Sequence, residues 1–106
     1  MENRRKTIVY IAGPYKGKTE WDVLNNIRAA EKTALKYWRL GYTVICPHKN
    51  TALMGGSCPD KTWLDGDIEI LKRCDIIVMV QGWEKSKGAI TEHELAYELG
   101  IEVIYN

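Results

Sequence analysis

Two carboxylates and a lysine-bearing glycine turn are the residues here whose placement asks for chemistry. Asp67 falls between Leu64, Ile68 and Leu71, on or beside an apolar helical stripe. Glu92 stands one turn before Ala96 and two before Leu99, on the inward side of another helix. An unpartnered buried carboxylate is costly, so each should be paired, hydrogen-bonded or at work in a reaction. The other acids have simpler explanations: Asp22 and Asp65 cap helices, and Glu31, Glu69, Glu94 and Glu98 lie on polar helical faces. Glu92 is read in the first turn of its helix, just after Ser86-Lys87-Gly88-Ala89. Backbone N–H groups there favour the ionised carboxylate that a nucleophile requires. The plain alternatives are a carboxylate interacting with the helix dipole for Glu92 and a structural acid bonded to loop backbone for Asp67.

The glycine turn is "AGPYKGKTE", residues 12–20, between an apolar run and a long amphipathic segment. From Gly13 its spacing is G-x-x-x-G-K-T, one residue short of the loop that wraps backbone N–H groups around two phosphates. The aspartate such a site needs at the end of another strand is also absent, because Asp75 stands at the beginning of the run 75–81. A nucleoside-triphosphatase is therefore rejected. A glycine turn with Lys16 and Lys18 above a helix N-terminus still suits a single phosphate group. Lysines in water are the alternative.

The elements that position these residues follow from periodicity. The runs 6–12, 42–46, 75–81 and 102–106 are rich in Val, Ile and Tyr, and are continuously rather than alternately apolar. That pattern suits strands buried on both faces of a parallel sheet. Between them, a helix is expected over 20–40, opened by a Thr19–Asp22 capping box and stopped at Gly41, with Val23, Ile27, Ala30, Ala34 and Tyr37 or Trp38 inward. A second starts near Trp63, where Thr62 and Asp65 repeat the box. A third runs from near Gly88 to Gly100, with Leu95, Ala96 and Leu99 inward. The alternation implies right-handed crossovers and a three-layer α/β sandwich: a four-stranded parallel sheet of order 2-1-3-4, Rossmann- or flavodoxin-like, with the site residues at one sheet edge. The segment 47–61 reads as one long loop.

Composition sets the limits. The chain has 106 residues, 45% hydrophobic and 27% charged, with a formal net charge of +1. This predicts a single domain, 1–106, and no binding of nucleic acid polymers, which calls for a basic face. No apolar run approaches a membrane span, and the start lacks a signal-peptide pattern, so a cytoplasmic protein without membrane contact is expected. Cys46, Cys58 and Cys74 form no disulfide framework and are read as free thiols. His48 and His93 lack metal-ligand spacing, so neither a metal nor a cofactor is expected. His93 follows Glu92 by about 100° around the helix and is read as facing away. Trp83, in the loop after the third strand, suits stacking on a base or packing on its own domain. Trp21, Trp38 and Trp63 are more aromatic surface than so small a core covers, which predicts a homodimer at least.

Three stretches together resemble the nucleoside 2-deoxyribosyltransferase superfamily, which includes the 2′-deoxynucleoside 5′-monophosphate N-hydrolases. They are "VYIAGPYKG" (9–17), Asp67 leading to Cys74-Asp75, and "GWEKSKGAITEHELAYELG" (82–100), whose S-x-G-x-x-x-E is the most specific. The resemblance implies an N-glycosidase or deoxyribosyltransferase acting on a small nucleoside or nucleotide. Glu92 would be the nucleophile at C1′, Asp67 would assist proton transfer to the departing base, and Tyr10 would orient Glu92. Substrate contacts would come from Gly13, Tyr15, Lys16 and Gly17 in the first loop, and from Trp83, Ser86, Gly88 and Ala89. The transferases carry aspartate where this chain has Ser86, whereas the monophosphate hydrolases carry serine, so the resemblance is nearer to the hydrolases. That branch has arginine near Lys16; lysine keeps the charge but not the bidentate fork. The alternatives are base exchange between nucleosides and a nucleotide-sensing module without turnover.

Overall fold

The computed structural model describes residues 3–106. Strands β1 (Ile8–Ala12), β2 (Thr43–Ile45), β3 (Ile76–Met79) and β4 (Glu102–Tyr105) form one parallel sheet in the order β2-β1-β3-β4. They alternate with helices α1 (Glu20–Arg39), α2 (Pro47–Asn50), α3 (Asp60–Leu71) and α4 (Lys87–Leu99). This is the flavodoxin-like order expected from the alternation. Tyr10 of β1 lies in register with Ile45 of β2 and Ile77 of β3, which places it at the centre of the sheet.

Successive strand side chains point to opposite faces, and the core divides accordingly. Val9, Ile11, Val44, Ile76 and Val78 pack with Ala30, Ala34 and Tyr37 of α1 on one face. Tyr10, Ala12, Ile77 and Met79 pack with Leu71 of α3 and with Ala89 and Ala96 of α4 on the other. The continuous apolar runs are therefore explained by two covered faces. Exposed residues occur on the two edge strands: Ile45 of β2, and Glu102 and Tyr105 of β4.

The helix ends set the positions of the chemical groups. At α1 the capping box forms: Thr19 Oγ1 accepts from the Asp22 N–H at 3.1 Å, and Asp22 Oδ2 accepts from the Thr19 N–H at 3.3 Å. The helix stops at Gly41, whose φ of 99° favours glycine. Three expectations are corrected. Helix α3 begins at Asp60 with Pro59 at its N-cap, so Thr62 and Asp65 lie inside the helix and Asp65 pairs with Lys61 at 2.5 Å instead of capping. The segment 47–61 is not all loop, since Pro47 starts the short helix α2. Leu99 is 49% exposed, because only Ala89, Glu92 and Ala96 of α4 face fully inward.

Candidate active site

The β1, α3 and α4 elements bring Tyr10, Asp67 and Glu92 together on one face of the sheet. Tyr10 is fully buried, and its hydroxyl donates a hydrogen bond to Glu92 Oε2 across 82 residues of sequence. Glu92 is only 7% exposed. The charge of Asp67, half-buried on α3, acts on both Tyr10 and Glu92.

The electrostatics of Glu92 are the reverse of the sequence expectation. Ser86 caps α4, its Oγ accepting from the Ala89 N–H at 3.2 Å, and the helix starts at Lys87. Glu92 thus lies beyond the first turn, which holds no acidic residue. Its surroundings offer no free N–H groups of the helix end, since only the first four lack helical partners. Burial pushes its carboxyl up to about 7, Asp67 adds to the rise, and the Tyr10 hydroxyl opposes it by stabilising the ionised form. Burial alone raises Asp67 to about 6. Tyr10 is held well above the ordinary phenol range by burial and by the two neighbouring acids, so it remains a donor. Two neighbouring carboxyls raised to about 6 and about 7, the second held by a neutral donor, can both change protonation state close to neutral pH, which is what a nucleophile working with an acid–base group would need.

The first loop is fixed from three sides. Asn26 Nδ2 of α1 donates to the carbonyls of Tyr15 at 3.0 Å and Lys16 at 3.2 Å. His48 of α2, 6% exposed, bonds through Nε2 to the Pro14 carbonyl at 2.8 Å and meets the Tyr15 ring edge-on. Burial lowers the His48 pKa, so the ring is neutral and Nε2 carries the donated proton. Lys16 Nζ pairs with Asp60 at the start of α3 at 2.6 Å, both side chains largely exposed. Gly13 is required by packing, because a Cβ there would come within 2.7 Å of Val80 Cβ; at Gly17 it would collide with Asp22. A Cβ at Gly88 would meet nothing.

Trp83 sits in a single 3-10 turn, Trp83–Lys85, and packs against the core beneath α4. Its ring stacks on His93 at 4.3 Å between centroids, and His93 Nε2 lies 2.7 Å from the Tyr105 hydroxyl. His93 therefore turns away from Glu92 but into an aromatic cluster. Sequence reasoning passed over Asn26 and His48 as supports of the loop. Asn26 had a signal, a polar residue on the inward stripe of α1 between Val23 and Ala30; His48 had none. A groove of about 690 Å³ lies elsewhere, between α1, β2 and α2, and none of Tyr10, Asp67 and Glu92 lines it. Among the described residues, no three His, Cys, Asp or Glu side chains group as a metal site.

A family model described as a domain of unknown function, DUF4406, matches residues 7–105. No curated protein matches the chain. One solved structure similar to it is a 2-deoxyribosyltransferase from Bacillus psychrosaccharolyticus, described as a biocatalyst for the synthesis of antiviral and antitumoral nucleosides. It is 25% identical with a TM-score of 0.65, and the match covers 93% of this chain and 71% of that one. The fold therefore resembles that of the deoxyribosyltransferases over nearly the whole chain.

Proposed function

We infer the activity of this chain, which belongs to the DUF4406 family, from its three clustered residues: it breaks the N-glycosidic bond of a nucleoside 5′-monophosphate through a glycosyl ester on Glu92. The observation that carries this reading is the buried Tyr10–Glu92 hydrogen bond with Asp67 close enough to act on both. The ionised Glu92 carboxylate attacks C1′ as the C1′–N bond breaks. The base leaves with the bonding pair and takes a proton from Asp67. Water then attacks C1′ of the ester, the Asp67 carboxylate accepts its proton, and Glu92 departs as carboxylate. Tyr10 holds Oε2 so that the other oxygen faces the sugar. It is a positioning residue.

A 5′-phosphate suits the residues around this pair. Ser86 is a neutral cap on α4, whose free N–H groups favour an anion. Lys16 can turn from Asp60 to a phosphate at little cost, because an exposed ion pair contributes about 0–1 kcal/mol. Base exchange is the second reading, supported by the deoxyribosyltransferase likeness; a second nucleobase then replaces water. Liquid chromatography of released base, run with and without an acceptor base, separates the two. Hydrolysis of monophosphates with a higher kcat/KM than of the matching nucleosides is expected, and Ser86→Asp should narrow or reverse that preference. Equal kcat/KM for nucleoside and monophosphate would remove the phosphate from the proposal. Tight binding of unchanged nucleotide, with no base released, would leave a sensing module.

A further inference from the structure

The outward side of α1 carries a second stripe that the fold leaves uncovered. Trp21, Leu24, Leu35 and Trp38 are 69%, 41%, 47% and 43% exposed. With Arg28 and Glu31 between them, they follow one another at alternating spacings of three and four residues. That is the spacing of a seam between two helices. It is distinct from the inward face of α1, where Ala30, Thr33, Ala34 and Tyr37 are buried.

The stripe reads alike from either end: tryptophan, leucine, charge, charge, leucine, tryptophan, the two charges being of opposite sign. A two-fold axis crossing α1 midway between Arg28 and Glu31 would therefore set Trp21 against Trp38, Leu24 against Leu35 and Arg28 against Glu31, each pair occurring twice. A self-complementary patch of this kind is what an isologous dimer requires. We propose that α1 is a dimerisation face on which two copies of this chain pair their helices antiparallel.

The surroundings of the stripe fit this occupant. Glu31 is held ionised by Arg28 at 2.9 Å and by Lys49 at 2.5 Å, so a carboxylate stands ready for the second arginine. The groove of about 690 Å³ beside β2 is walled by Leu35, Trp38, Val44 and Ile45. Antiparallel pairing brings Trp21 and Leu24 of the second copy to the mouth of that groove. The Arg5 guanidinium lies 5.7 Å from the Trp38 ring centroid and steadies this anchor. Helix α1 covers the sheet face opposite Tyr10, so the dimer leaves the candidate site open, and the inference stands apart from the proposed activity. Trp63, half-buried on α3, takes no part.

Sedimentation velocity on the purified chain tests the face. The expected particle has twice the 12.1 kDa chain mass. Arg28→Glu or Glu31→Arg alone places like charges opposite each other twice, and should weaken the dimer about tenfold or more. The two substitutions together restore opposite charges and should return most of the affinity. Both positions are on the surface, and far-UV circular dichroism confirms that each variant is folded. A monomer at high micromolar concentration, a dimer indifferent to both single substitutions, or a double variant as weak as the single ones would overturn the proposal.

Discussion

Replacing Glu92 by glutamine should abolish base release and, above neutral pH, make the fold more stable. In the folded chain the carboxyl titrates near 7 rather than at the ordinary 4.5, chiefly because it is buried. Below about pH 4.5 the acid is protonated in both folded and unfolded chains, and burial carries no charge penalty. Between about 4.5 and 7 the folded chain binds the extra proton, so stability falls as pH rises; above 7 the whole penalty is present. At about 1.36 kcal/mol per pH unit, the difference of 4.5 to about 7 amounts to about 3 kcal/mol. Glutamine is neutral at every pH, has nearly the same shape, and keeps an oxygen for the Tyr10 hydroxyl. Urea unfolding followed by circular dichroism at pH 4.5 and 8.5, at one protein concentration, is the assay. The variant and the parent should nearly coincide at pH 4.5. At pH 8.5 the variant should gain up to about 3 kcal/mol, a midpoint higher by roughly 1–3 M urea. A stability difference that does not change with pH, or a variant less stable at pH 8.5, would refute the assignment of a strained, buried charge to Glu92.

The same two carboxyls should shape the rate. The productive form needs Glu92 ionised and Asp67 protonated; with Asp67 near 6 and Glu92 near 7 this is the less populated of the two singly protonated states, and kcat/KM should peak between those values and fall on both sides. Asp67→Asn should erase the alkaline limb and slow substrates with poor leaving bases most; an unchanged bell would remove Asp67 from proton transfer. Tyr10→Phe removes a hydrogen bond to a charged acceptor, worth about 1.5–3 kcal/mol, so kcat should fall about ten- to a hundredfold with KM little changed. Its acid limb should move to higher pH as Glu92 becomes harder to ionise, and a limb that stays in place would show that the phenol serves packing alone.

What could be read from the chain in advance was set by local rules. The continuous apolar runs fixed the strands, and the Thr19–Asp22 box and Gly41 fixed the ends of α1, because these signals involve neighbours in sequence. A local signal misled where a second one competed with it. Thr62 and Asp65 look like a capping box, but Pro59 and Asp60 start α3 earlier, since proline fits a helix entrance and an acid its first turn. Glu92 could be singled out as an inward-facing acid. Its electrostatics could not be read, because they depend on where α4 begins and on a tyrosine 82 residues away. Separations of 44 and 34 residues in sequence likewise concealed the Lys16–Asp60 pair and the grip of His48 on Pro14. Leu99 obeyed the helical period yet stays half-exposed at the last turn of α4, beyond the reach of the sheet's core.

The central claim is the ester between Glu92 and C1′, and trapping it is the most direct test. A 2′-fluorinated nucleotide analogue slows breakdown of the intermediate, because the fluorine destabilises the positively charged sugar centre. Intact-mass spectrometry of the protein incubated with such an analogue should show one added fluorinated sugar phosphate. Peptide mapping should place it on Glu92, and Glu92→Gln should show none. Release of base from the natural substrate with the adduct on another residue, or undiminished release by Glu92→Gln, would contradict the account.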